Sequence, residues 1–136
     1  MADTPLTKKL LIKPGYSLLI LNAPEGYSDM LNPLPDGASI KTTAAGLFDF
    51  VQLFVYSKAE VDKNVKQAIQ SLKPGGLLWL CYPKKSSKIK TDITRDFGWD
   101  SVHDAGFEGV TLISIDDTWS SMRYRPASQI NARKKA

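Results

Sequence analysis

Four lysines fall within seven residues, Lys84, Lys85, Lys88 and Lys90, and they stand with Ser86 and Ser87 in the stretch PKKSSKIK without an acidic neighbour. Ammonium and hydroxyl groups so concentrated can fix a phosphate or carboxylate. The competing reading is a strongly hydrated loop whose charge keeps the chain soluble. A second stretch, LLILNAPEGY, runs apolar residues into a turn holding Asn22, Glu25 and Tyr27. Such a turn offers backbone N–H groups and a helix start to a negative group. It also reads as a capped helix, with Asn22 as N-cap, Pro24 in the first helical position and Glu25 beside the positive helix end. The capped helix is favoured, because a carboxylate at the helix start repels an anion.

The remaining reactive side chains are sparse. Asp116 and Asp117 are adjacent, but neighbouring residues on a strand point to opposite faces, so DDTW reads as hairpin-turn chemistry rather than an acid–base pair or metal site. His103 is the single histidine and Cys81 the single cysteine, too little for a nucleophilic triad or zinc centre. Tyr56 and Tyr82 each end an apolar run, where an aromatic side chain either lines a pocket or finishes the core. Ser57, three residues before Glu60, has the spacing of a capping box.

The elements that must position these groups are legible as alternating patterns. SLLILN, FDFVQLFVYS and LLWLCY are short apolar runs rich in branched and aromatic residues, as in strands buried on both faces. ASIKTT is a weaker strand. Tyr27, Met30, Leu31 and Leu34 recur at helical spacing, as do Val61, Val65, Ala68, Ile69 and Leu72 up to KPGG. A further helix is expected over 94–105, with Gly106 as its C-terminal cap. EGVTLISI, DDTW and SMRYR read as a closing antiparallel hairpin. The expected fold class is therefore α/β, a three-layer Rossmann-like, mostly parallel sheet with a C-terminal antiparallel hairpin. Ligands of such sheets bind beyond the carboxyl ends of the strands.

The 136 residues suit one domain, read as 1–126, with a basic, disordered tail at 127–136. The net charge of +4 owes three units to Arg133, Lys134 and Lys135 in that tail, so nucleic acid is disfavoured as a partner. No apolar run approaches the roughly 18–20 residues that span a bilayer, and the lysines near the N-terminus lack an export-signal pattern. A lone cysteine inside an apolar run fits a cytoplasmic protein without membrane attachment.

Several phrases resemble the Rossmann-like S-adenosylmethionine-dependent methyltransferases. FDFVQLFV resembles their central strand, SLKPGGLLWLCYP their helix end, glycine turn and next strand, and the final hairpin their antiparallel edge. The combination of LNAPEGY, LKPGGLLWLCYPKKSS, KTDITRD and DDTWSSMRYRP looks like a bacterial family of short uncharacterised domains. The resemblance implies a truncated methyltransferase fold that departs from the family at its cofactor site. NAPEGY stands where a glycine-rich turn is expected, and its Pro24 has no N–H. SIKTTAAG offers Thr42 and Thr43 where an acidic ribose ligand is expected, and a third strand with its helix is missing before FDFVQ.

The expectation is accordingly a non-catalytic domain without a cofactor, leaning away from enzymatic activity. It would bind a small anionic ligand or a protein partner at the strand-end face through Asn22, Glu25, Tyr27, Tyr56, Ser57, Tyr82, Lys84, Lys85 and Ser86. The alternative is a minimal S-adenosylmethionine-dependent methyltransferase with a non-standard cofactor loop. Edge strands and an exposed Trp119 leave room for a homodimer.

Overall fold

The computed structural model describes residues 6–94 and 97–127. The expected tail at 127–136 therefore lies, from residue 128, outside the described residues, as do Arg95 and Asp96. Among the described residues six strands form one sheet in the order β2-β1-β3-β4-β6-β5. They are β1 (Ser17–Leu21), β2 (Ser39–Lys41), β3 (Phe48–Phe54), β4 (Leu72–Pro83), β5 (Phe107–Ser114) and β6 (Trp119–Pro126). The first four run parallel, and β6 is antiparallel to both β4 and β5. This is the expected α/β sheet with its antiparallel closing hairpin.

Alternation along the strands creates two apolar layers. Leu19, Leu21, Val51, Leu53, Val55, Leu78, Leu80 and Tyr82 face one way and meet α2 (Lys58–Gln70) and α3 (Asp100–Asp104) through Val61, Val65, Ala68 and Val102. Leu18, Ile20, Phe50, Phe54, Trp79 and Cys81 face the other way. There they are covered by Leu10 and Ile12, which follow α1 (Leu6–Lys9), and by Tyr27 and Leu31 of a 3₁₀ helix, Tyr27–Leu31. The period of two is what lets one strand serve both layers. Trp79 Nε1 donates to the Leu10 carbonyl at 3.1 Å and ties the N-terminal cover to the sheet.

Three expectations are corrected. The helix after β1 is a single 3₁₀ turn whose N-cap is Gly26 in the left-handed region, so Asn22 is not its cap and Pro24 precedes it. Tyr27 and Leu31 carry its burial, while Met30 is 41% exposed. The helix expected over 94–105 shrinks to α3, because Trp99 and Val102 alone reach the core and Phe97 is exposed. Trp119, expected at the surface, is buried at the start of β6 among Phe54 and Tyr56. Residues 42–47 alone connect β2 to β3, so the missing strand–helix unit is indeed absent.

Candidate functional site

The pairings Leu21↔Leu53, Phe54↔Cys81 and Pro83↔Trp119 bring the carboxyl ends of β1, β3 and β4 to one edge of the molecule. The chain leaves β1 for β2 on one side and returns to β3 on the other, so the strand order reverses between β1 and β3. That crevice is where open sheets of this kind hold ligands.

The turn at the crevice, residues 22–26, is open. Asn22 has φ 59° and Gly26 φ 81°, left-handed values that asparagine and glycine tolerate best. A Cβ built on Gly26 would meet no heavy atom within 4 Å. The Pro24 carbonyl accepts from Tyr27 N at 3.1 Å and the Gly26 carbonyl from Asp29 N at 3.2 Å, which closes the turn below. Among the described residues the amides of Ala23, Glu25 and Gly26 find no acceptor, and all three residues are exposed. Unmatched donors on an exposed turn can receive carboxylate or phosphate oxygens.

Tyr27 points away from this opening and anchors it. Its ring is 2% exposed, and its hydroxyl donates to Gln52 Oε1 at 2.8 Å. Gln52, itself fully buried, donates through Nε2 to Cys81 Sγ at 3.1 Å, and the Cys81 thiol donates to Ser121 Oγ at 3.1 Å. The chain of bonds crosses β3, β4 and β6 inside the apolar layer. Burial holds the Tyr27 phenol well above its ordinary range and pushes the Cys81 thiol up to about 12. Both are thus neutral, inert donors rather than nucleophiles. Sequence reading missed Gln52, whose signal was a lone amide between Phe50 and Phe54 on one face of the best strand.

Tyr56 and Ser57 follow β3 directly. The Tyr56 ring is half-buried and meets Trp119 edge-on at 5.1 Å. Ser57 caps α2, its Oγ accepting from Glu60 N at 3.3 Å, and Glu60 Oε1 accepts from Tyr56 N at 3.0 Å. Tyr82, by contrast, is buried in the opposite layer, with its ring 5.3 Å from Trp99. Tyr56 and Tyr82 therefore do not wall one pocket. Lys84 is held at its amide by the Thr118 carbonyl at 2.7 Å and at Nζ by Ser114 Oγ at 2.6 Å, while Lys85 and Ser86 are exposed. Of the expected residues, Asn22, Glu25, Tyr56 and Ser57 stand at the ends of β1 and β3. The lysines stand on the neighbouring loop after β4.

The other reactive groups take structural parts. Asp116 Oδ1 accepts from the amides of Thr118 and Trp119 at 2.9 and 2.8 Å, as a turn carboxylate does. His103 Nδ1 lies 3.1 Å from the Phe107 carbonyl. Among the described residues no cluster of His, Cys, Asp or Glu could hold a metal ion, and no helix is long and apolar enough to cross a membrane. A cleft of about 460 Å³ opens at the opposite, amino end of β4 between Leu72–Leu77 and Arg123–Pro126, away from the strand-order reversal.

No protein-family profile matches the chain, and no curated protein matches its sequence. Solved structures do match its fold. Aeropyrum pernix fibrillarin with natively bound S-adenosyl-L-methionine superposes with a TM-score of 0.61 at 13% identity, over 92% of this chain and 70% of that one. The complex of DhpI with SAH gives 0.60 at 10% identity, over 90% and 82%. A SAM-dependent methyltransferase from Geobacter sulfurreducens, in complex with S-adenosyl-L-homocysteine, gives 0.56 at 11% identity, over 89% and 88%. The expectation of no cofactor is overturned by these folds, each of which was solved holding the methyl donor or its product. The chain has the Rossmann-like fold of the S-adenosylmethionine-dependent methyltransferases.

Proposed function

We infer that the protein binds S-adenosylmethionine at the carboxyl ends of β1 and β3 and acts as a small methyltransferase. The observation that carries this reading is the open turn 22–26, which presents the unmatched amides of Ala23, Glu25 and Gly26 at the point where strand order reverses. These donors fit the carboxylate at the amino-acid end of the cofactor, and the absence of a Cβ on Gly26 leaves room for close approach. The Glu25 carboxylate, exposed on the same turn, suits the cationic sulfonium and ammonium groups better than it suits an anion. Tyr56 and Ser57 flank the turn from β3, and Thr42 and Thr43 at the end of β2 offer hydroxyls in place of the usual ribose carboxylate.

When bound, the cofactor supplies an electrophilic methyl group, so the protein's own task is chiefly to orient an acceptor. The likeness to cofactor-bound folds favours this reading over the non-catalytic one. Amide NMR during titration with S-adenosylmethionine tests it. Saturable shifts are expected at Ala23, Glu25, Gly26, Tyr56 and Ser57. Shifts confined to residues 85–94, or none, would remove the assignment.

A further inference from the structure

The loop after β4 is built more firmly than its composition requires. Ile93 is 1% exposed in one apolar layer, and Ile89 packs against the other. Asp92 Oδ1 accepts from the Lys58 amide at 2.8 Å, which fastens the loop to the start of α2, directly after Tyr56 and Ser57. Ser87 Oγ donates to the Lys84 carbonyl at 2.7 Å and accepts from Ile89 N at 3.3 Å, and Thr91 Oγ1 accepts from Ile93 N at 3.1 Å.

Between these anchors lies a depression of about 450 Å³ lined by Lys85, Lys88, Lys90, Ser87, Thr91 and Thr94, among others. Among the described residues no carboxylate lines it. The ion pairs formed among the described residues are Lys58–Asp62 and Lys73–Asp49, so the three lysines have no acidic partner there. On the adjoining hairpin Lys84 and Lys9 both reach Ser114, at its Oγ and its carbonyl. Lys85, Lys88 and Lys90 are exposed, so water screens their mutual repulsion, but an anion entering the hollow would meet three cations at once, and a fixed backbone lowers the ordering cost of binding it.

We propose that this depression is an anion site for a small molecule bearing phosphate or carboxylate groups, and that the anion is the handle by which the methyl acceptor is recognised. Its role as the acceptor's handle rests on the cofactor reading; the anion site itself does not. The bond from the Lys58 amide to Asp92 ties the loop that bears the hollow to the residue following Tyr56 and Ser57.

The test is calorimetric titration of the full chain with inorganic pyrophosphate, with citrate and, separately, with S-adenosylmethionine, at moderate salt. It uses the wild type, a triple variant Lys85→Ala, Lys88→Ala, Lys90→Ala, and a charge-matched control, Lys13→Ala, Lys63→Ala, Lys66→Ala. Circular dichroism checks that each is folded. The wild type is expected to bind at least one of the two anions saturably, and the preferred one tells phosphate from carboxylate. The triple variant should weaken anion binding by roughly tenfold or more while keeping its affinity for S-adenosylmethionine, and the control should change neither. No saturable anion binding by the wild type overturns the site, as does equal weakening in the control, which would mean diffuse attraction to net charge. Anion binding without S-adenosylmethionine binding would sustain the site and remove the cofactor reading instead.

Discussion

Gln52 is fully buried between two phenylalanines, and every polar atom it brings there must be matched. Tyr27 and Cys81 match it, and through Tyr27 the bond reaches the segment that closes the turn 22–26. Tyr27→Phe removes the donor and strands the Gln52 carbonyl, so a loss of about 1–3 kcal/mol in urea denaturation is expected. The same chain gives an alkaline pH dependence. Cys81 would ionise near 9.0 in the unfolded chain and only near 12 when folded, so the folded state holds more protons between those values. Stability therefore falls as pH rises through that window, by at most about 1.4 kcal/mol per pH unit for this group. Cys81→Ala should flatten that fall between pH 9 and 10.5, measured by denaturant midpoints. The sequence named Tyr27 as notable but not its task, because its partner lies 25 residues away on another element.

At the scale of elements, α2 was legible in full because everything that specifies it is local. Ser57 and Glu60 cap it, and its apolar stripe needs only the period of a helix. Ser57→Ala is expected to cost about 0.5–2 kcal/mol, read by thermal or urea unfolding. The turn after β1 was not legible: asparagine, proline and glutamate announce a helix start, whereas the buried bond from Tyr27 and the left-handed Gly26 hold a single 3₁₀ turn. The entry to β4 is equally non-local. A Cβ on Gly76 would come within 2.9 Å of Leu72 Cδ1 and 3.0 Å of the Asp49 carbonyl on β3, a contact no local pattern reveals. Gly76→Ala should destabilise by about 1–3 kcal/mol in the same assay, since the backbone carbonyl cannot yield as a side chain can.

For the whole molecule, the mostly parallel sheet with its antiparallel closing hairpin followed from the alternation of elements, and the short 42–47 connection accounts for the sheet ending at β2. Of the candidate residues, Asn22, Glu25, Tyr56 and Ser57 stand at the ends of β1 and β3, whereas Tyr56 and Tyr82 fall on opposite faces of the sheet, which local patterns do not reveal. A missing glycine-rich motif suggested a lost cofactor; the free amides that such a motif would provide are present at Ala23, Glu25 and Gly26 without it. The proposed cofactor site thus rests on the geometry of this turn rather than on a motif. Direct titration of the full chain with S-adenosylmethionine by isothermal calorimetry tests this most simply. Saturable binding of one molecule per chain with a dissociation constant below about 1 mM is expected. A folded protein giving no saturable heat at several-fold higher concentration would contradict it.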